Sequence, residues 1–230
     1  MHTASSRRKR LMKVWALSAG IVLLGGLVLG GILFMYSRPH YATQTVASQG
    51  AYAVNPTDHV IGNPTAPIEV YMYTDLQCIY CKTYHDVTLP KLLKQYGNDL
   101  FIIYKHFPLT IHPQAYKEAE ATECAFAQGG NPAFWKFVDA LFSSLSETNP
   151  YTQGTLTNTA HAIGLNVDTF QKCLDTGQEK TRVNKDIAEG ASEGINYMPS
   201  TIFRRNGKSV LVEGNQFGQM QAAIEYLMHK

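Results

Sequence analysis

The chain has 230 residues, with 20 basic against 18 acidic, a formal net charge of +2 and 45% apolar residues. That length is enough for one domain with a sizeable core beyond any terminal segment. The near balance of charge argues against a nucleic-acid partner held on a basic surface, because the densest basic cluster sits at the extreme N-terminus.

That cluster is Arg7, Arg8, Lys9, Arg10 and Lys13, and residues 1–13 read as a cytoplasmic tail. Val14 to Tyr36 then runs 23 residues without a charge. As a helix it is about 34 Å long, enough to cross a hydrocarbon core of about 30 Å. A cleavable signal peptide has an apolar region of only about 7–15 residues. Residues 14–36 are therefore expected to be an uncleaved transmembrane anchor, although an A-x-A-like site between Thr45 and Ala51 leaves cleavage open. The positive-inside rule puts the N-terminus in the cytoplasm and the rest on the periplasmic or extracellular side. Without the five leading basic residues, 15 basic and 18 acidic remain, so the exported part carries about −3.

Residues 37–57 are polar, nearly uncharged and without helical periodicity, and read as a flexible linker. A coil of about 20 residues spans about 25 Å on average. Residues 58–230 are then one domain. Its first segment, Asp58 to Pro67, holds Gly62, Asn63, Pro64 and Pro67 and reads as a turn cluster. Ile68 to Tyr73 reads as a buried strand. Cys81 to Tyr96 reads as a helix kinked at Pro90 and stopped by Gly97-Asn98. Leu100 to His106 reads as a second buried strand.

A helical block fills about 112–194. Pro113 suits the first position of a helix that runs to Gln128. After Gly129-Gly130, Ala133 to Leu145 is amphipathic, with Phe134, Trp135, Phe137, Leu141 and Phe142 expected in the core. Further helices follow at Thr155–Ile163, Val167–Leu174 and Glu179–Glu193. Strands return at Ser200–Arg204 and Ser209–Val212 around the turn signal Asn206-Gly207. Gln216 to His229 closes the chain as a helix. Strand, Cys-x-x-Cys turn, helix, strand, helical block, hairpin and helix make an α/β thioredoxin-like fold with a helical insertion.

Cys78-Ile79-Tyr80-Cys81 carries the chemistry. At a helix start, free N–H groups and the positive end of the helix dipole favour a thiolate on Cys78. Only the thiolate attacks or leaves in disulfide exchange. Cys81, about one turn further in, is expected to be the shielded, resolving sulfur. The cycle this suggests needs no cofactor and no metal. A metal reading stays open, because His85 follows Cys81 by one helical turn and completes a Cys78, Cys81, His85 set for a membrane-tethered metallochaperone. Haem attachment is excluded by Lys82, which stands where a His should follow the second Cys.

The ordered motifs are Gly62-Asn63-Pro64 with Ala66-Pro67, TDLQCIYC from Thr74 to Cys81, and KHFPL from Lys105 to Leu109. His112-Pro113, AFWKFVDALF and YMPSTIF from Tyr197 to Phe203 complete the set. With these the chain resembles the membrane-anchored, DsbA-like thiol-disulfide oxidoreductases of bacteria, over about residues 58 to 229. The resemblance implies disulfide formation in exported proteins with free thiols, and reoxidation by a quinone-linked, DsbB- or VKOR-like membrane partner. The same chemistry run as reductase or isomerase is the alternative. The resemblance also implies a cis Met198-Pro199 bond facing the cysteines and binding substrate backbone.

Ile79 and Tyr80 stand where many relatives have Pro and where the strongest oxidants have His. This dipeptide tunes the potential, and a neutral phenol in place of an imidazolium implies a milder oxidant. Many relatives carry a proton-transferring carboxylate six residues before the first Cys. Here that position is Met72, and Asp75 and Glu69 are the candidates to replace it. Some relatives have a second, structural disulfide in the insertion. Cys124 and Cys173 are expected to form that bridge, the alternative being two buried free thiols.

Overall fold

In the computed structural model, residues 55, 57–146 and 153–229 are described; the expected tail, anchor helix and most of the linker lie outside them. Five strands form one sheet in the order β1-β3-β2-β4-β5. The strands are β1 (His59–Gly62), β2 (Ile68–Thr74), β3 (Leu100–His106), β4 (Ser200–Arg205) and β5 (Lys208–Glu213). The central pair β2 and β3 is parallel, and β1 and β4 flank it antiparallel. β3 is buried along its whole length and β2 nearly so, as expected for strands covered on both faces.

The helices are α1 (Ile79–Thr83), α2 (Leu89–Tyr96), α3 (Ala115–Ser144), α4 (Gln153–Ala162), α5 (Val167–Thr176), α6 (Lys180–Ser192) and α7 (Phe217–Met228). α3 to α6 form the insertion between β3 and β4. α3 breaks at Gly130, whose φ of 62° and ψ of −158° are non-helical. The aromatic run after that break is core: Phe134, Phe137, Leu141 and Phe142 are fully buried and Trp135 packs against them. Asn206 and Gly207 both have positive φ, 50° and 76°, as a two-residue hairpin turn requires.

Three expectations are corrected. The Asp58–Pro67 turn cluster contains a strand, β1, at the sheet edge. Its four residues are too short to show a period, and tertiary contacts make it a strand. The Asn131 amide takes both polar groups of Val60, accepting from its N–H at 3.1 Å and donating to its C=O at 2.6 Å. An edge strand is thereby closed to further pairing. The helix after the cysteines begins at Ile79, and the kink expected at Pro90 is a π turn, Tyr84–Thr88. Pro90 offers no N–H, and just before it Leu89 N–H bonds five residues back to Tyr84. Pro113 lies before the helix, which starts at Ala115 with Gln114 as its N-cap.

The linker's last residues are tied to the domain. Asn55 N–H donates to Asp58 at 2.8 Å and Arg182 donates to Thr57 at 2.7 Å.

Candidate active site

β2 ends at Thr74, and the turn that follows aims the chain into α1. Cys78 N–H donates to Asp75 C=O at 3.2 Å, closing the turn. Cys78 is the N-cap, in extended conformation with φ −85° and ψ 118°. Its sulfur therefore meets the first N–H groups of the helix. Both cysteines are reduced. Cys78 is 6% exposed at a groove edge, whereas Cys81 is 1% exposed and in the core.

Their acidities diverge. The Cys78 pKa is lowered to about 6, chiefly by a hydrogen bond from the Cys81 thiol. Burial opposes this, the N–H groups of Cys81 and Tyr80 reinforce it, and the Asp75 charge opposes it. Burial pushes the Cys81 thiol well up, and the hydrogen bond and charge of Cys78 add to that. One helix start thus separates an acidic sulfur from a protonated one.

The strand on the other side of β2 supplies the facing wall. β4 pairs with β2 so that Ser200 lies opposite Tyr73. The residues before it, Met198 and Pro199, are joined by a cis bond. Met198 C=O lies 3.9 Å from Cys78 Sγ. A groove of about 430 Å³ opens here, lined among others by Cys78, Tyr80, Leu109, Ile111, Tyr197 and Met198. Ile111, Tyr80 and Tyr197 are 77%, 57% and 48% exposed, an unusual cluster of large apolar side chains around a reactive sulfur. Ile79 is also exposed, at 38%, beside Tyr80 in the motif.

Of the two carboxylates named as proton-transfer candidates, the fold brings one to the cysteines. Asp75 is 1% exposed. Its N–H points at Cys81 Sγ at 3.5 Å. Its carboxylate accepts from Gln77 N–H at 2.8 Å and Leu109 N–H at 2.7 Å, and pairs with His112 Nδ1 at 2.8 Å. Glu69 is not at the site. It lies near the opposite end of β2, where it accepts from Tyr71 OH at 2.8 Å and its register partner is Arg204.

Two residues beside the cysteines were given no role by sequence. His112 reaches the groove through Asp75; its motif neighbour Pro113 marked the place, but not the pairing. Glu118, on the first turn of α3, is fully buried. It faces Gln77 and Asp75, and burial and then the Asp75 charge raise its pKa to about 8. The local pattern around Glu118, KEAEATE, is that of an exposed helix, so nothing local marks it.

The metal set fails on geometry. His85 Nε2 is held 2.8 Å from Asp139 and its ring packs beside Phe142, toward the insertion. Among the described residues, the trio whose ligand atoms lie within 4.8 Å of one another is His59, His106 and Glu123, all buried. There Glu123 Oε1 already binds both imidazoles, at 2.6 and 2.9 Å, and Arg182 Nε lies 3.8 Å from it. The Arg182 guanidinium adds a positive charge beside this carboxylate.

Cys124 on α3 and Cys173 on α5 are disulfide-bonded, with Cα atoms 5.9 Å apart. This pair staples the insertion and takes no part in the groove.

Residues 54–226 match a thioredoxin family, Thioredoxin_4. Among curated proteins the chain is 30% identical over 154 residues to the Na(+)/H(+) antiporter NhaA 1 of Mycolicibacterium gilvum, covering 66% of this chain and 24% of the antiporter. It is 32% identical over 152 residues to the Na(+)/H(+) antiporter NhaA 3 of Salinispora tropica, covering 66% and 22%. The chain thus matches less than a quarter of the length of these relatives. Among solved structures, Pseudomonas aeruginosa DsbA2 superposes with a TM-score of 0.62 at 26% identity, over 76% of this chain and 97% of that one. BdbD from Bacillus subtilis gives 0.67 at 20% identity, over 76% and 94%. Wolbachia pipientis alpha-DsbA1 gives 0.64 at 24%, over 76% and 92%.

Proposed function

Since the chain belongs to this thioredoxin family and is DsbA-like in fold, we propose that it is a thiol-disulfide oxidoreductase that forms disulfide bonds in exported proteins. The observation that carries this is the divergence within one Cys-x-x-Cys: Cys78 acidic at a groove edge, Cys81 buried and protonated.

The cycle starts from a Cys78–Cys81 disulfide. A substrate thiolate attacks Cys78 Sγ, and the electron pair of the broken S–S bond goes to Cys81, which takes up a proton. A second substrate thiolate then attacks the substrate sulfur of the mixed disulfide. Cys78 leaves as a thiolate, stable as such at neutral pH because its pKa is about 6. Two substrate thiols have become one disulfide, and the enzyme pair holds the two electrons. A quinone-linked membrane partner of the DsbB or VKOR kind takes them back, a step that rests on family resemblance.

The groove favours an extended peptide with an apolar side chain beside its cysteine. Tyr80, Ile111 and Tyr197 cover that side chain, and the Met198–Pro199 loop meets its backbone. The Cys78 acidity falls between the reference values of about 3.5 for DsbA and about 7 for thioredoxin, which supports a milder oxidant than DsbA. We retain residues 14–36 as a single-pass anchor, with residues 37–57 as linker and the catalytic domain from residue 58 outside the cytoplasm. This rests on hydropathy and charge alone. Ion antiport, the activity in the relatives' names, is not carried over, because the match spans less than a quarter of those proteins.

The direction of electron flow is tested by acid trapping and thiol labelling of Cys78 and Cys81 in intact cells. A mainly oxidised pair is expected. A mainly reduced pair would assign the same chemistry to a reductase or isomerase.

A further inference from the structure

Thiol exchange asks something of the substrate that neither cysteine supplies: its sulfur must shed a proton before it attacks. An ordinary cysteine thiol has a pKa of about 8.5, so at pH 7 only about 3% of it is thiolate. A base in the groove raises that fraction at the point of reaction by up to about 30-fold.

His112 is placed to be that base. Among the described residues, the groove lining holds no Asp, Glu, Lys or Arg. Besides Cys78 and the phenols of Tyr80 and Tyr197, His112 is the lining group that can exchange a proton. Its Nδ1 lies 2.8 Å from Asp75 Oδ2, which also accepts from Leu109 N–H at 2.7 Å. Asp75 Oδ1 accepts from Gln77 N–H at 2.8 Å. With both carboxylate oxygens set as acceptors, Nδ1 is the donor and carries the ring proton. Nε2 of the neutral imidazole is then bare, on the side of the ring away from Asp75, and has no partner among the described residues. The main chain fixes the loop: His112 N–H donates to Leu109 C=O at 3.0 Å, and Gln114 N–H to the Gln77 side chain at 2.8 Å. Asp75 is 1% exposed, whereas the His112 side chain is 25% exposed and shares the groove with Cys78. A buried carboxylate that orients an imidazole beside a reacting sulfur is an arrangement that activates nucleophiles; here the nucleophile belongs to the substrate.

We propose that His112 is a catalytic base that takes the proton from the substrate thiol, with Asp75 as its positioning residue. The inference rests on the thiol-exchange reading. The substrate S–H bond breaks and its proton goes to His112 Nε2. The sulfur keeps the electron pair and bonds to Cys78 Sγ. The Cys78–Cys81 bond breaks, and its pair goes to Cys81. The imidazolium, held to Asp75 through Nδ1–H, hands its proton to groove water, and Cys81 takes one up. The net change is one proton moved from the substrate thiol to Cys81 and one S–S bond exchanged for another. The second substrate thiol is deprotonated in the same way before it resolves the mixed disulfide.

The titrating groups around the ring are few. Asp75 faces it from the turn before α1, and Cys78, Tyr80 and Tyr197 share the groove. From α3, Glu118 senses Asp75 and has a pKa of about 8. On α6, Asp186 and Glu189 are paired with Lys105 at 3.1 and 3.0 Å. Titrations that wild type and variant share cancel in the ratio of their rates.

His112→Asn keeps an amide N–H for Asp75 and cannot take a proton. The test is the second-order rate at which a capped leucyl-cysteine peptide opens the Cys78–Cys81 disulfide, from pH 6.5 to pH 9.5, read by acid quench and thiol labelling. At pH 7 the variant should be about tenfold slower than the wild type. Above about pH 9 the two rates should agree within about twofold, because the peptide thiol is by then already ionised. A loss under about twofold at pH 7 overturns the proposal. So does a loss that is equal at every pH, which is what a changed groove shape or a changed acidity of the leaving Cys81 would give. If the variant does not fold, imidazole nitrogen NMR of the wild type decides. The neutral His112 ring should carry its proton on Nδ1, and a ring protonated on Nε2 overturns the proposal. Failure of the wild type to react with the peptide at any pH would instead overturn the thiol-exchange reading.

Discussion

The main-chain N–H of Asp75 points at the sulfur of Cys81 from 3.5 Å, while the side chain of the same residue holds His112 and the N–H of Leu109. One residue at the end of β2 therefore ties the buried thiol to the loop that lines the groove. Asp75→Asn keeps the size but removes the negative charge. It should lower the pKa of Cys81 and, to a smaller degree, that of Cys78, since Asp75 opposes the thiolate at both. Thiolate absorbance at 240 nm against pH reads both shifts. An unchanged Cys78 midpoint together with an unchanged Cys81 would remove Asp75 from the site.

The Cys78 thiolate stabilises the reduced fold in a pH window that follows from its shift. Its folded pKa, about 6, lies below the ordinary value of 9.0, so the stabilisation is complete above about pH 9 and is lost as pH falls through 6. The disulfide form has no such group. Melting temperatures of the oxidised and reduced proteins, measured from pH 5 to pH 9, should show the reduced form gaining on the oxidised one as pH rises. Parallel curves would contradict the lowered pKa.

Acid should unfold the domain through Glu123. Burial raises the pKa of this carboxylate, but hydrogen bonds from His106 and His59 outweigh burial and hold it at about 2, against the ordinary 4.5. Its contribution is present above about pH 4.5 and disappears as pH falls toward 2. Burial lowers the His59 pKa from 6.5, so protonating this imidazole also costs stability as pH falls below that value. Glu123→Gln should cost roughly 3–5 kcal/mol at neutral pH, because two buried imidazoles lose their anion. Urea denaturation followed by circular dichroism measures this, and a loss under about 1 kcal/mol would refute the network's role.

Removing the Cys124–Cys173 bridge should loosen the insertion and leave the chemistry in place. The bond closes a sequence separation of 49 residues. In the chain-entropy model that is worth about 4 kcal/mol. The Cys124→Ala/Cys173→Ala variant should melt roughly 10 °C lower and still exchange disulfides at Cys78. A variant that melts normally would show that the helix packing carries the insertion without the staple.

Gly190 marks a close approach of α6 to the sheet. A Cβ there would lie 2.7 Å from the Phe107 ring and 2.8 Å from the Tyr73 ring. Gly190→Ala should destabilise by about 1–3 kcal/mol, as overpacking does. The measurement is chemical denaturation. An unchanged midpoint would mean that the two rings yield freely.

Much of this was legible locally. The apolar runs of β2 and β3 and the Asn-Gly turn announce themselves within a few residues, because side-chain periodicity and positive φ are short-range properties. The same holds for the aromatic face of α3 and for Cys78 before a helix. β1 was hidden because His59-Val60-Ile61-Gly62 becomes a strand only when β3 and Asn131 complete its hydrogen bonds. The choice between Asp75 and Glu69 was hidden for a related reason. Only packing says where each carboxylate points: that of Asp75, just after β2, meets Leu109 N–H and His112, while Glu69 lies in register with Arg204 on β4.

By itself, then, the sequence determined the Cys-x-x-Cys pair, the order of elements from β2 onward and the family, since each is written in adjacent residues. Tertiary structure alone decided which groups surround the sulfurs. Met198, His112 and Glu118 come from loops and helices far apart in the chain, and backbone periodicity carries no record of what it brings together. Packing decided the rest: burial keeps the Cys81 thiol protonated, and the hydrogen bond from that thiol, with the N–H groups of the helix start, makes Cys78 acidic.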